Sequence, residues 1–340
     1  MQRKLVRIAA LAALATLPLF ALADEKPVGK QVKGKESVTI PKRQGPKKRV
    51  AVAPMDIARR DNSGFQELIA VLKSTNNINT LSDVGLKMTS MLTTALNESG
   101  HFVVLERQDF GDIKGEMELT AEYGNQQTQV KKGNVLGAQM IIRAEVTEFT
   151  DNKNRKGGGL SLGPIQIGGA KKVAAVTIDL KFVDPNTSQV LHTAKAEGTS
   201  ESSAAAVALN IGSLGLAGGE SKEQPIEKAT RDALGKAVLV VIDRMQSVPW
   251  EARVAKVEAD GTLLLNRGAN DGVAIGESFA VFAPGESVID PETGESLGRG
   301  EDTWIGDCTV TWVSDRIAKA RLSGAASQPV ATNFVVKTRR

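Results

Sequence analysis

Met140-Ile-Ile-Arg-Ala-Glu-Val-Thr147 and Val176-Thr-Ile-Asp-Leu-Lys-Phe182 decide how this chain folds. In the first stretch Met140, Ile142, Ala144 and Val146 fall on one face, with Arg143, Glu145 and Thr147 on the other. In the second, Val176, Ile178, Leu180 and Phe182 oppose Thr177, Asp179 and Lys181. Two-residue alternation of this kind describes strands buried on one side, hence a sheet with one face toward water. Between the two strands lies Gly157-Gly-Gly-Leu-Ser-Leu-Gly-Pro-Ile-Gln-Ile-Gly-Gly169, an apolar insert bounded by glycines and flanked by charged clusters at 151–156 and Lys171–Lys172. Unpaired apolar strand is a liability in water. The insert therefore needs cover from a neighbouring subunit, a bilayer or the rest of the fold.

Working outward, Asp184-Pro-Asn-Thr187 is a turn into a further strand at 190–196. A second unusual segment, residues 198–224, is rich in Ala, Gly and Ser. Pro225 then opens a long helix with Ile226, Ala229, Ala233, Ala237, Val240 and Val241 along its inner stripe. On the amino-terminal side, Val50-Ala-Val-Ala-Pro-Met55 reads as a strand that ends at Pro54. Residues 61–79 form a polar loop rich in Asn and Ser. Val84, Met88, Met91, Leu92 and Ala95 share one helix face, with Thr80 or Ser82 as the cap and Gly100 at the close. A short strand at 101–105 and a second helix marked by Phe110, Ile113 and Met117 follow. The order β-α-α-β-β-α on a mixed sheet defines the class as α+β.

Beyond Val248-Pro-Trp250, short strands are separated by turns at Asp260-Gly261, Asn270-Asp-Gly272 and Asp290-Pro-Glu-Thr-Gly294. Five or six strands in about ninety residues imply a small all-β barrel or sandwich. Trp304 and Trp312 read as its buried anchors. The expected organisation is a signal peptide at 1–23, a flexible basic linker at 24–47, an α+β domain at 48–247 and the all-β domain at 248–340.

The ends bound the compartment. Arg3, Lys4 and Arg7, an apolar run at 8–20 and Ala21-Leu22-Ala23 make a cleavable secretory signal. Asp24 stands where a lipoprotein carries its acylated cysteine, so the expectation is an exported protein that is not a lipoprotein. Cys308, the single cysteine, reads as a buried structural thiol. Loss of the three basic residues of the signal lowers the net charge from +4 to about +1, which is no footprint of nucleic-acid binding. The basic excess sits in residues 24–50, with nine Lys or Arg against three Asp or Glu.

Catalytic chemistry is not legible. His101 and His192 both fall in strands, where a structural role is expected. Gly157–Gly159 lacks the Lys-Ser/Thr ending of a nucleotide loop. Asp290, Glu292 and Glu295 lack the ligand spacing of a calcium loop and read as a solvated turn. No catalytic, cofactor or metal residue is assigned, and a non-enzymatic protein is expected.

Three stretches resemble the curli secretion channel family of the CsgG type. They are Thr93-Thr-Ala-Leu-Asn-Glu-Ser-Gly-His-Phe-Val-Val-Leu-Glu-Arg-Gln108, Asn134-Val-Leu-Gly-Ala-Gln-Met-Ile-Ile-Arg-Ala-Glu-Val146 and Val183-Asp-Pro-Asn-Thr-Ser-Gln-Val-Leu191. The likeness spans residues 48–246. The last ninety residues resemble the small C-terminal domain of flagellar assembly protein T, through Asp260-Gly-Thr-Leu-Leu-Leu-Asn-Arg-Gly-Ala-Asn-Asp-Gly-Val273 and Asp290–Gly294.

The curli resemblance implies a ring in which every subunit gives two β-hairpins to a shared outer-membrane barrel. The segments 151–175 and 196–225 would be those hairpins. They would place Gly157, Leu160, Leu162, Ile165, Ile167, Gly169, Val207, Leu209, Ile211, Leu214 and Leu216 against membrane or sister subunits. Asn79 aligns with the loop that narrows the family's channel. The implied partners are further copies of the chain, other cell-envelope proteins and the outer membrane, in the periplasm. Two readings stay open: an oligomeric secretion-channel subunit, or a soluble periplasmic assembly factor without a pore, of flagellar or penicillin-binding-protein-activator type.

Overall fold

The structure, a computed structural model, describes residues 40–58, 80–123, 136–154, 172–201, 209 and 225–339. Its first half is a mixed sheet built from β1 (Lys48–Val52), β2 (Asp56–Ile57), β3 (Phe102–Leu105), β4 (Met140–Asn154), β5 (Lys172–Val183) and β6 (Val190–Thr199). The strand order is β3-β1-β4-β5-β6, with β2 on β4. β1 runs parallel to β3 and β4, whereas β4, β5 and β6 are antiparallel.

Alternation places the core as the sequence demands. Met140, Ile142, Ala144 and Val146 of β4 and Val176, Ile178, Leu180 and Phe182 of β5 are all buried at 5% exposure or less. Each of these side chains other than Ala144 contributes about 1.5–3 kcal/mol of transfer free energy. Helices α1 (Leu81–Glu98) and α3 (Pro225–Gln246) cover that face. The other face carries rows of charge: Arg143 pairs in register with Lys181, and Glu145 with Asp179 and then Lys195. The exposed Lys195 ammonium reaches Asp179 at 3.3 Å.

α1 forms where its apolar spacing and its cap agree. Thr80 and Asp83 make a reciprocal capping box, Asp83 N donating to Thr80 Oγ1 and Thr80 N to Asp83 Oδ2. Gly100, at φ +71°, ends the turn that follows. α2 (Phe110–Tyr123) buries only Met117 among its apolar residues, leaving Ile113 and Leu119 exposed. The segment ahead of β1 is fastened at Arg43, which donates to Gly100 O, and at Lys47 N, which donates to Asp271 O.

The second half is a closed six-stranded antiparallel barrel, ordered β12-β13-β8-β7-β14-β9. Its strands are β7 (Glu251–Val257), β8 (Leu263–Leu265), β9 (Ser278–Ala283), β12 (Thr303–Val313), β13 (Ala318–Leu322) and β14 (Val335–Lys337). A separate hairpin, β10 (Ser287–Ile289) with β11 (Ser296–Arg299), stands between β9 and β12. Asp290 Oδ1 accepts from Glu292 N at its tip, and Gly294 adopts φ +74°. Trp250 fills the barrel, fully buried, with its ring centroid 4.8 Å from that of Phe279. Cys308 also lies inside, a free and buried thiol.

Trp304 and Trp312, expected as anchors, point outward instead, at 50% and 44% exposure. Strict alternation along β12 would put both on the inner face with Cys308 and Val310. Two irregularities in register, one between Trp304 and Gly306 and one between Val310 and Trp312, each insert an extra residue. A bulge reverses the phase of what lies beyond it, so the middle of β12 faces in while its two tryptophans face out. Trp312 is met by the Lys319 ammonium 6.0 Å from its ring centroid.

Candidate functional site

The expected inserts leave the sheet at a common end. β4 and β5 stay paired, through two shifts of register, out to Asn154 opposite Lys172, the end from which residues 155–171 connect them. β6 runs antiparallel to β5, with Thr199 opposite Ala175, and delivers the second segment at the same end. The barrel adjoins the other end, where Gln139 Nε2 donates to Pro249 O and Arg49 Nη1 to Glu251 O. The described ends of β4, β5 and β6 that border these segments thus lie at the end of the sheet away from the barrel.

The roots of the two inserts are tied to each other. Ser200 N donates to Ala174 O at 3.0 Å, and Ala174 N donates back to Ser200 Oγ at 3.1 Å. α3 holds the second root through charge. Asp232, fully buried, accepts from Thr199 N at 3.1 Å and pairs with the Lys236 ammonium at 2.9 Å. Lys236 also donates to Glu197 O. Satisfying a buried carboxylate in this way avoids a penalty of several kcal/mol.

Gly198 allows the approach. A Cβ there would sit 2.1 Å from Ala229 O and 2.2 Å from Ala233 N, so only glycine lets β6 press onto α3. The small stripe Ala229-Ala233 was legible as a core face; the part played by Gly198, Ser200, Asp232 and Lys236 was not. Its one sequence signal is the i,i+4 Asp-Lys pair lying beside that stripe.

Of the eleven residues assigned to the hairpins, only Leu209 is among those described. It is 3% exposed and belongs to the core cluster of the sheet and helices. Gly157, Leu160, Leu162, Ile165, Ile167, Gly169, Val207, Ile211, Leu214 and Leu216 lie outside the described residues, as does Asn79, so the hairpins themselves do too. His101 Nδ1 lies 2.9 Å from Ser99 O, a local contact, and His192 sits edge-on to Phe182. Among the described residues no group of three or more His, Cys, Asp or Glu could hold a metal ion, and no helix is long and apolar enough to cross a membrane.

Burial shifts ionisable groups elsewhere, lowering Lys48 among them. It pushes the Cys308 thiol up to about 12, with Asp307 adding to the effect. It also lowers Arg49 to about 10, an effect that the neighbouring Arg267 charge deepens.

The fold defines a class: a mixed-sheet module with two helices on one face, joined to a small barrel. A family model described as curli production assembly/transport component CsgG matches residues 33–263, and the chain belongs to that family. The match runs through the sheet and α3 into the first two barrel strands. No curated protein sequence matches the chain.

Among solved structures, a hypothetical protein of Chlamydia trachomatis is 11% identical, with TM-score 0.30, covering 58% of this chain and 97% of that one. The PelC dodecamer of Paraburkholderia phytofirmans is 13% identical, with TM-score 0.24, covering 50% and 86%. Protein XCC0632 of Xanthomonas campestris is 10% identical, with TM-score 0.30, covering 62% and 91%.

Proposed function

We propose that this chain is a non-enzymatic cell-envelope protein that oligomerises, and whose insert-bearing pole builds a secretion or assembly channel of the curli type. The observation that carries the reading is the shared exit of both apolar segments, from one end of a sheet whose family is that of a curli assembly and transport component. A ring of copies would bring all these segments together on one side. Closure of their strands into a common barrel would then pair every edge, the condition for crossing a bilayer with strands. A tilted strand of about 9–11 residues spans the membrane, and 151–175 and 196–225, counted with the adjoining ends of β4, β5 and β6, are each long enough for two. In this reading the chain is exported by its first 23 residues and works in the periplasm against the outer membrane.

Fractionation and sizing test it. The mature protein should sediment with outer membrane and elute as a large ring in detergent. Deletion of residues 157–169 should abolish export while leaving the melting of the folded part unchanged. A monomer confined to the soluble periplasmic fraction would end the proposal.

A second reading has observations of its own. Neither insert contains Trp, Tyr or Phe, whereas membrane barrels carry aromatic girdles at both interfaces. The small barrel, resembling that of flagellar assembly protein T, shows two tryptophans to solvent. A soluble assembly factor would use that aromatic surface for a partner and would keep its function after the deletion.

A further inference from the structure

At the pole opposite the inserts, the sheet and the barrel enclose a cleft of about 660 Å³. Ligand clefts commonly run from about 300 to 1,000 Å³. Three guanidinium groups line it: Arg49 from β1, Arg253 from β7 and Arg267 from the loop after β8.

The hydrogen-bond partners of these groups are neutral. Arg49 donates to Gly137 O at 2.8 Å and Glu251 O at 3.3 Å, Arg253 to Asn333 O at 3.0 Å, and Arg267 to Asn266 O at 2.9 Å. A guanidinium offers a planar fork of several N–H donors, so each retains donors beyond these. The Arg267 side chain is only 12% exposed, and its Nε, 3.7 Å from Asp271 Oδ1, makes no hydrogen bond.

Asp184 and Glu251 also line the cleft, and Asp271 is the ion-pair partner of Arg267 at 3.7 Å, so three arginines face two lining carboxylates that have partners of their own. Asp184 Oδ1 accepts from Asn186 N and Nδ2, Glu251 pairs with Lys337 at 3.3 Å, and Asp271 Oδ2 accepts from Gly268 N. Arg49 and Arg267 thus share the partly buried lining of the cleft; burial first, and the Arg267 charge after it, lower the Arg49 pKa to about 10, while Asp271 and Glu251 oppose the shift. Leu191, 44% exposed, and Val248 line the same cleft and give it an apolar wall.

We propose that the cleft binds an oxyanion carried on an apolar group, with Arg49, Arg253 and Arg267 holding the oxyanion and Leu191 and Val248 meeting the apolar part. Guanidinium forks match carboxylate and phosphate bidentately. A bound anion would occupy the spare donors of these guanidinium groups. The carboxylate of a peptide ending in an apolar residue and an apolar phosphate ester share this chemistry. The proposal does not rest on the secretion reading.

The test is titration calorimetry on the mature full-length chain with N-acetyl-leucine, its neutral amide and phenyl phosphate. One anion should bind saturably, more weakly at high salt, and the amide should not bind. The better-bound anion identifies the source. R253Q, a substitution of a solvent-accessible arginine, should weaken binding about tenfold or more, as the loss of a charge-assisted hydrogen bond does, with melting unchanged. R267Q should do the same, and R253Q keeps the test decisive if R267Q fails to fold. Absence of saturable binding by both anions, equal binding of the amide, or undiminished affinity in R253Q overturns the proposal.

Discussion

Around the barrel each of the six strands has a hydrogen-bonded neighbour on both sides, whereas among the described residues the sheet stops at β3 and β6 with an edge at either end. The barrel buries Trp250, Phe279 and Cys308 by closing on itself. The sheet needs α1 and α3 to cover one face, and its strands β4, β5 and β6 end at one pole beside two segments that lie largely outside the described residues. The barrel is closed among the described residues, whereas the sheet has described edges and gives its core one residue, Leu209, of the second segment. Interaction surface is therefore expected at the open region, while the barrel offers side chains placed on a finished frame.

That contrast can be broken by changes in each region. The largest effect is expected from Trp250→Ala, which should cost about 3–5 kcal/mol, the range for emptying a large aromatic site. Cys308 gives a local readout: its thiol should be alkylated slowly in the native protein and much faster in this variant. An unchanged labelling rate would show that the barrel does not depend on its tryptophan.

In the sheet, Gly198→Ala should cost about 3 kcal/mol, the upper part of the usual range for overpacking, because the added methyl meets the backbone of α3. Gly261→Ala in a barrel turn meets nothing within 4 Å and pays only for its φ of +81°, about 1 kcal/mol. Denaturant unfolding of the two variants compares a site fixed by packing with one fixed by conformation. Equal losses would remove the distinction.

A smaller effect follows from pH. The Cys308 thiol is held neutral in the fold up to about 12, while its ordinary value is 9.0. The folded state thus binds the proton more tightly, and the contribution is fully present below about 9 and is lost as pH rises toward 12. Unfolding measured across that interval should show a steeper decline for the native chain than for Cys308→Val. Parallel curves would deny that the thiol is sequestered. Smallest of all, Trp312→Ala should change stability by less than about 0.5 kcal/mol, as exposed sites do. A loss comparable to that of Trp250→Ala would mean that Trp312 is packed after all.

Much of the sheet was legible because its physics is local. The alternation of β4 and β5, the turn after Val183, the spacing and cap of α1 and the helix opened by Pro225 are all set by neighbours within a few residues. The tryptophans show where such reasoning stops. Period-two logic assigns Trp304 and Trp312 to the inside of β12, and two bulges set by pairing with β9 and β13 reverse them. Trp250, which sequence marked only as part of a boundary, became the anchor. The cleft was equally hidden, since Arg49, Arg253 and Arg267 lie far apart in the chain and meet only where sheet and barrel join.

By itself the sequence determined which segments are strands and helices, which faces are apolar, and that two apolar stretches interrupt an otherwise amphipathic pattern, because periodicity and turn chemistry act over short range. The tertiary structure alone decided that both stretches leave by the same pole, that Gly198 must lie against α3, and which tryptophan is buried. Those outcomes depend on strand register and on closure between residues distant in sequence, and no local pattern encodes them.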